Sequence, residues 1–257
     1  MSIKQTIKAI LVLFKRRSVA PVFIVGCGHS GTSIMISLLD NHEDVYTVIG
    51  ETSLFFKKRL EIYAKMHNWL KLAKLKNKSV VVEKTPSHIR KLDRIFNLFP
   101  MARVIIMLRD GRDVTCSIRS RTGDFDAAAT KWVSENELAY AYWNHSQVEV
   151  VKLEDLTSKP EATIARVCQF LNIPFSDKIL AKQGEEEKLY YTNKLTKEED
   201  FKDDAIPSEE AHVNRRNWQI NQGLFANTSR WEKDMSKQEI ERFFELAESS
   251  MKLYGYV

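Results

Sequence analysis

The stretch Pro21-Val22-Phe23-Ile24-Val25-Gly26-Cys27-Gly28-His29-Ser30-Gly31-Thr32-Ser33-Ile34-Met35 decides the fold. Val22 to Val25 read as a buried strand, and a run of helical period, Gly31 to Leu39, begins six residues later. Between them fall three of the chain's nine glycines. Glycines there let the backbone turn tightly and bring its N–H groups against an anion, while the helix N-terminus adds the positive end of its dipole. Thr32 and Ser33 add hydroxyl donors on the first turn, which completes the construction of a phosphate cradle. A plain strand-to-helix turn is the alternative. Against the nucleotide loop G-x-x-x-x-G-K-[ST], Gly26 and Gly31 match in spacing, but Thr32 stands where the lysine belongs. That lysine reaches the β- and γ-phosphates of a triphosphate, so its absence argues against an ordinary ATPase, GTPase or kinase. The loop suits one phosphate-like group, with His29 supplying charge when protonated.

Working outward, Val80 to Val82, Val104 to Leu108 and Val148 to Val151 are further apolar, β-branched runs. Each is followed by helical periodicity: Pro86 to Phe99, then Asp113 to Arg121 with Phe125 to Trp143, then Leu156 to Leu171. This alternation predicts an α/β fold, a P-loop-like central parallel β-sheet flanked by helices on both faces. It persists to about residue 180, and Lys237 to Tyr254 form a final helix. With no internal repeat and no linker, the 257 residues read as a single domain.

Composition narrows the class. A chain 44% hydrophobic and 28% charged is neither disordered nor of low complexity. Cys27, Cys116 and Cys168 are odd in number and show no C-x-x-C spacing, so a disulfide framework or zinc site is not suggested and a reducing, cytoplasmic setting fits. No run approaches the ~20 apolar residues of a membrane span. Ile3, Ile7, Ile10, Leu11 and Phe14 recur at helical spacing among Lys4, Lys8, Lys15, Arg16 and Arg17. They predict a helix packed on the domain, with peripheral contact to an anionic inner membrane face as the alternative. Residues 184 to 210 hold ten Asp or Glu against four Lys in a chain of formal charge +5. Such an acidic stretch, taken as 184–215, reads as a solvated excursion or as a lid over a substrate. A charge of +5 without an aromatic-rich basic stripe does not suit a nucleic-acid partner.

A second anion site follows the third of these runs, in Arg109-Asp110-Gly111-Arg112-Asp113-Val114-Thr115-Cys116-Ser117. Ligands bind at the carboxyl ends of parallel strands, so Arg109 projects into the cleft of the glycine loop, and Ser117 lies on the helix that follows. A guanidinium and a hydroxyl converging there suit a second phosphate, a solvated helix face being the alternative. On the same edge, Lys84 closes the run at 80–82 in Glu83-Lys84-Thr85-Pro86, and Glu51 offers a carboxylate near the cradle. Either alone reads equally well as a surface charge. His42, His67, His88, His145 and His212 show no metal spacing, and Trp132 and Trp143 read as core.

Over residues 21 to 175 these motifs together resemble the sulfotransferases that use 3′-phosphoadenosine 5′-phosphosulfate (PAPS), in particular the bacterial, carbohydrate and tyrosylprotein branch. The residues that carry the likeness are Ser30-Gly31-Thr32-Ser33, Glu83-Lys84-Thr85-Pro86, Arg109 to Asp113 with Ser117, and Leu153-Glu154-Asp155-Leu156 before Phe170-Leu171. Arg216, Trp218 and Ser229-Arg230-Trp231-Glu232 are similar to the segment that closes over the nucleotide. The resemblance implies a 5′-phosphosulfate site at Gly28, His29, Ser30, Gly31, Thr32 and Ser33, and a 3′-phosphate site at Arg109 and Ser117, with Arg216 also on the cofactor. It implies Glu51 as general base, Lys84 stabilising the transferring sulfonate, and His29 where relatives carry Arg or Lys. The donor would be PAPS and the product adenosine 3′,5′-bisphosphate (PAP), with no metal required. The expected acceptor is a hydroxyl on a carbohydrate or glycolipid. An atypical P-loop kinase or NTPase, for which Asp110 would be a metal ligand, and a non-catalytic nucleotide-binding module stay open as alternatives.

Overall fold

A computed structural model describes residues 19–181 and 229–257. The amphipathic stretch at 3–17, the acidic excursion at 184–215 and Arg216 lie outside the described residues. Five strands, β1 (Ala20–Gly26), β2 (Val45–Thr47), β3 (Val80–Lys84), β4 (Arg103–Leu108) and β5 (Val148–Lys152), form one sheet in the order β2-β3-β1-β4-β5. Every pairing is parallel, with Ile24 opposite Lys84 on one side and Ile105 on the other. Connections leave β1 toward β2 in one direction and β4 toward β5 in the other. The crevice beyond the carboxyl ends of β1 and β4 is therefore the place where a doubly wound sheet takes a ligand.

The period of two along β1 sorts its side chains between two cores. Phe23 and Val25 pack with Leu54, Phe55, Ile62, Met66, Ile95 and Phe99, whereas Val22 and Ile24 pack with Met35, Ile36, Leu39, Leu156, Ile164 and Leu171. Helices thus cover both faces, as the strand pattern predicts. The first face carries α2 (Arg59–Leu75) and α3 (Leu92–Leu98). The second carries α1 (Thr32–Leu39), α6 (Leu153–Ser158) and α7 (Pro160–Leu171). A third cluster joins α4 (Gly111–Thr122), α5 (Phe125–Tyr140) and α9 (Lys237–Leu253) through Val114, Trp132, Phe243, Met251 and Tyr254, after the short α8 (Trp231–Asp234).

Several boundaries differ from those read in the sequence. β2 is three residues at the sheet edge, too short for a periodic signal. Helix α2 lies outside the helical runs read in the sequence, and its Ile62, Tyr63, Met66, Leu70 and Ala73 recur on one face and are all buried. Pro160 lacks the N–H that would continue a helix, so Leu156 to Leu171 belongs to two helices, α6 and α7. The stretch after β3 begins as a 3₁₀ turn, Pro86–Lys91, before α3. Helix α5 ends at Tyr140, which leaves Trp143 beyond it.

Candidate active site

At Gly26 a Cβ would stand 2.5 Å from the carbonyl oxygen of Met107, so only glycine lets β1 and β4 approach this closely where the loop leaves the sheet. The loop then turns through two left-handed residues, His29 (φ 71°) and Gly31 (φ 87°), with the Ser30 N–H donating to the Cys27 carbonyl. Gly31 is the N-cap of α1 and supplies no side-chain cap, and the first turn holds no acidic residue. The first-turn N–H groups are thus left for an external acceptor. Ser30 is fully buried and its Oγ has no hydrogen-bond partner, while a Cβ at Gly28 would meet nothing within 4 Å. An orphaned hydroxyl, an uncapped helix start and room beside the backbone fit an anionic phosphosulfate.

Arg109 leaves the end of β4 and is 6% exposed. Its Nη1 donates to the His29 carbonyl at 3.2 Å and its Nη2 to Asp113 Oδ2 at 3.2 Å, so one guanidinium ties the glycine loop to α4. Trp132 Nε1 donates to the Arg109 carbonyl at 3.0 Å, which places this tryptophan in the core beneath the site. Asp110 caps α4 by accepting from the Arg112 N–H and pairs with the Arg112 guanidinium, leaving it a structural rather than a metal-binding task. Ser117, half-buried, lies four residues after Asp113 and so on the same face of α4. Among the described residues no group of three His, Cys, Asp or Glu could hold a metal ion.

Lys84 is 1% exposed at the end of β3, and its Nζ donates to Glu51 Oε1 at 2.7 Å. The Glu51 side chain is 39% exposed, so the pair spans the boundary between core and solvent. Next to it lies an array in which every proton points one way. Buried Glu83 accepts the hydroxyls of Thr52 (2.7 Å) and Thr85 (2.6 Å) on Oε1. Thr85 Oγ1 accepts the Thr52 and Ser53 N–H groups, and the Phe55 N–H donates to His88 Nε2 at 3.2 Å. His88 Nδ1 lies 3.2 Å from Glu83 Oε2. The segment after Glu51 is thereby fastened to the residues flanking Lys84. His88 is the structural histidine the sequence suggests, and His42 likewise bonds to the Pro174 carbonyl and the Asp44 N–H.

The structure therefore ties Arg109 to the glycine loop and pairs Glu51 with Lys84, while Ser117 is placed only on the Asp113 face of α4. Sequence reasoning missed Glu83, Thr85 and Asp113 as parts of the assembly. Asp113 is fully buried and accepts the Ser229 and Trp231 N–H groups at 3.0 Å each. The spacing of Arg109 and Asp113, four apart, was the available signal. Glu154 accepts the Asp110 N–H and the Tyr256 hydroxyl, and burial raises its carboxyl above the usual value.

The chain is 28% identical over 200 residues to a protein-tyrosine sulfotransferase A of Caenorhabditis elegans, covering 62% of this chain and 51% of that protein. It is 27% identical over 199 residues to protein-tyrosine sulfotransferase 1 of Danio rerio, covering 62% and 55%. Residues 59–177 match the model of the sulfotransferase family. Over those residues the chain is similar to the sulfotransferase family. The family match begins after the glycine loop and Glu51 and contains Lys84, Arg109 and Ser117. The chain spans about half the length of the curated relatives it matches. The fold agrees with the sulfotransferase domain of the curacin biosynthetic pathway, at TM-score 0.60 and 15% identity over 88% of this chain and 96% of that one. It also agrees with a mouse sulfotransferase complexed with PAP, at TM-score 0.53 and 12% identity over 93% and 89%.

Proposed function

We propose that this sulfotransferase moves the sulfonate of PAPS to an acceptor hydroxyl, with PAP as the other product. The observation that carries the reading is Arg109, whose guanidinium joins the glycine loop to Asp113 in the first turn of α4, across β1 from the Glu51–Lys84 pair. Two anion sites in one crevice match a nucleotide phosphorylated at both ends. PAPS supplies an activated sulfonate whose departure leaves a stable phosphate.

The residues divide the work. The loop from Gly28 to Ser33 offers N–H groups and hydroxyls to the 5′-group, with His29 adding charge when protonated. Arg109 and Ser117 take the 3′-phosphate. Glu51, at the solvent boundary, accepts the proton of the acceptor hydroxyl, a contribution of about 10²- to 10⁴-fold in rate. The buried Lys84 ammonium stabilises negative charge on the transferring group from a fixed position. A sulfonate carries less charge than a terminal phosphate, so none of these tasks calls for a metal.

The acceptor separates two readings. The sequence suggests a carbohydrate or glycolipid, and the names of the relatives favour a protein tyrosine. Both present a hydroxyl that Glu51 could deprotonate. A cytoplasmic setting is supported by the three cysteines, all free and buried.

The test is calorimetric titration with PAP and, in parallel, with ATP plus Mg²⁺, each with and without EDTA. Metal-independent binding of PAP supports the reading, and a preference for ATP with Mg²⁺ replaces it with the kinase or NTPase. Transfer of labelled sulfonate from PAPS to a tyrosine peptide, an oligosaccharide and a glycolipid then identifies the acceptor class. PAP binding without transfer to any acceptor would mark a nucleotide-binding module.

A further inference from the structure

We infer that Asp113 is a positioning residue that holds Arg109 toward the 3′-phosphate and links occupancy of that site to the segment at Ser229–Trp231. This rests on the reading above, in which Arg109 takes the 3′-phosphate.

Asp113 stands in the first turn of α4, where an acidic side chain ordinarily faces solvent and complements the helix dipole. Here it is fully buried, and its three donors all come from outside its own helix. Oδ2 accepts Arg109 Nη2 at 3.2 Å and the Ser229 N–H at 3.0 Å, and Oδ1 accepts the Trp231 N–H at 3.0 Å. Two of these donors are backbone groups more than a hundred residues away in the chain. A buried carboxylate is tolerated only when its acceptor sites are filled, so Arg109 and the returning segment must be in place together.

The geometry at Arg109 gives this closure a function. Its guanidinium is held on one edge by the His29 carbonyl and on another by Asp113, which fixes the plane of the fork. A fork whose orientation is set in advance binds a phosphate without a further loss of side-chain freedom. The same helix grips the returning segment at two more points. Arg112 lies 3.9 Å from the ring centroid of Trp231, and Arg119 donates to the Asp234 carbonyl at 2.8 Å and pairs with Glu239. Whatever restrains Arg109 therefore restrains Asp113, and with it the Ser229 and Trp231 amides. By thermodynamic reciprocity, docking of that segment favours the 3′-phosphate by the same factor.

The ligands that test this are PAP and adenosine 5′-monophosphate, which lacks the 3′-phosphate. Asp113→Asn keeps the size of the side chain but turns an NH₂ toward N–H donors. Calorimetry of the full chain should show PAP affinity falling about tenfold or more while the monophosphate changes less than about twofold, the loss expected for a charged hydrogen bond at one phosphate. In the unaltered chain, PAP should slow amide exchange at Ser229–Trp231 and the monophosphate should not. Unchanged PAP affinity in Asp113→Asn, or equal weakening of both nucleotides, overturns the inference. Should that variant fail to fold, the exchange measurement decides alone, and equal or absent protection by the two nucleotides overturns it. Arg109→Ala separates the two levels. Full PAP affinity in that variant removes the 3′-phosphate reading itself, whereas weak binding there with Asp113→Asn unaffected removes only the role of Asp113.

Discussion

Glu51 and Lys84 come from the loop after β2 and the end of β3, and they meet at 2.7 Å because the β1-β3-β2 pairing brings those ends to one edge. Glu51→Gln keeps an oxygen for the Lys84 ammonium and removes the base. It should lower turnover by about 10²- to 10⁴-fold with PAP affinity unchanged, read from kcat and from calorimetry. A second residue-level consequence belongs to Glu154. Burial raises its carboxyl above 4.5 in the folded chain, so the native state holds this proton more tightly than the unfolded state. The contribution to stability is full below the unfolded value and is lost as pH rises through the raised one. Glu154→Gln still accepts the Asp110 N–H and has no proton to lose. Thermal midpoints measured across the acidic range should therefore fall less steeply with rising pH in the variant than in the wild type.

The elements around the site are fastened by their ends. Helix α9 begins with a capping box, in which Ser236 Oγ accepts the Glu239 N–H and Glu239 returns a bond to the Ser236 N–H. Glu239 also pairs with Arg119, so the cap of α9 and its grip on α4 share a residue. Ser236→Ala should cost about 1 kcal/mol by chemical denaturation, the usual cost of a lost N-cap. Turnover at saturating donor should be unaffected. Helix α1 shows the opposite choice, because its start is uncapped and faces the crevice.

The whole molecule encloses its thiols. Cys27, Cys116 and Cys168 are all free and buried, and burial raises each thiol, Cys116 to about 11. At pH 8 a disulfide reagent such as 5,5′-dithiobis(2-nitrobenzoate) should label the native chain slowly and should titrate three thiols per chain after denaturation. Rapid labelling of one thiol in the native state would show that the glycine loop or α4 opens. Exposed charge contributes little at this scale. Arg242 and Asp126, about half-exposed at the surface, pair through a fork that solvent and salt screen. The interior decides stability, and Trp132 is the largest fully buried side chain among the described residues.

Much of this was legible in the order of residues. Continuous apolar, β-branched runs gave four of the five strands among the described residues, and the glycines at 26, 28 and 31 after the first of them gave the expectation of an anion cradle. Both signals are local, and local backbone chemistry suffices to read them. β2 and α2 were not legible. The first is an edge of three residues, and the second hides its apolar face among many lysines. The sequence by itself determined the α/β sheet, the cradle and the candidates Glu51, Lys84 and Arg109. Only the tertiary structure decided that Glu51 lies against Lys84, that Glu83 and His88 fasten the loop between them, and that Asp113 joins Arg109 to Ser229 and Trp231. Glu51 and Lys84 are 33 positions apart and Asp113 is 116 and 118 from Ser229 and Trp231, and nothing in the intervening residues encodes which buried acceptor a distant N–H will find. That pairing follows from the parallel register of the sheet and from the cost of leaving a buried polar group unsatisfied.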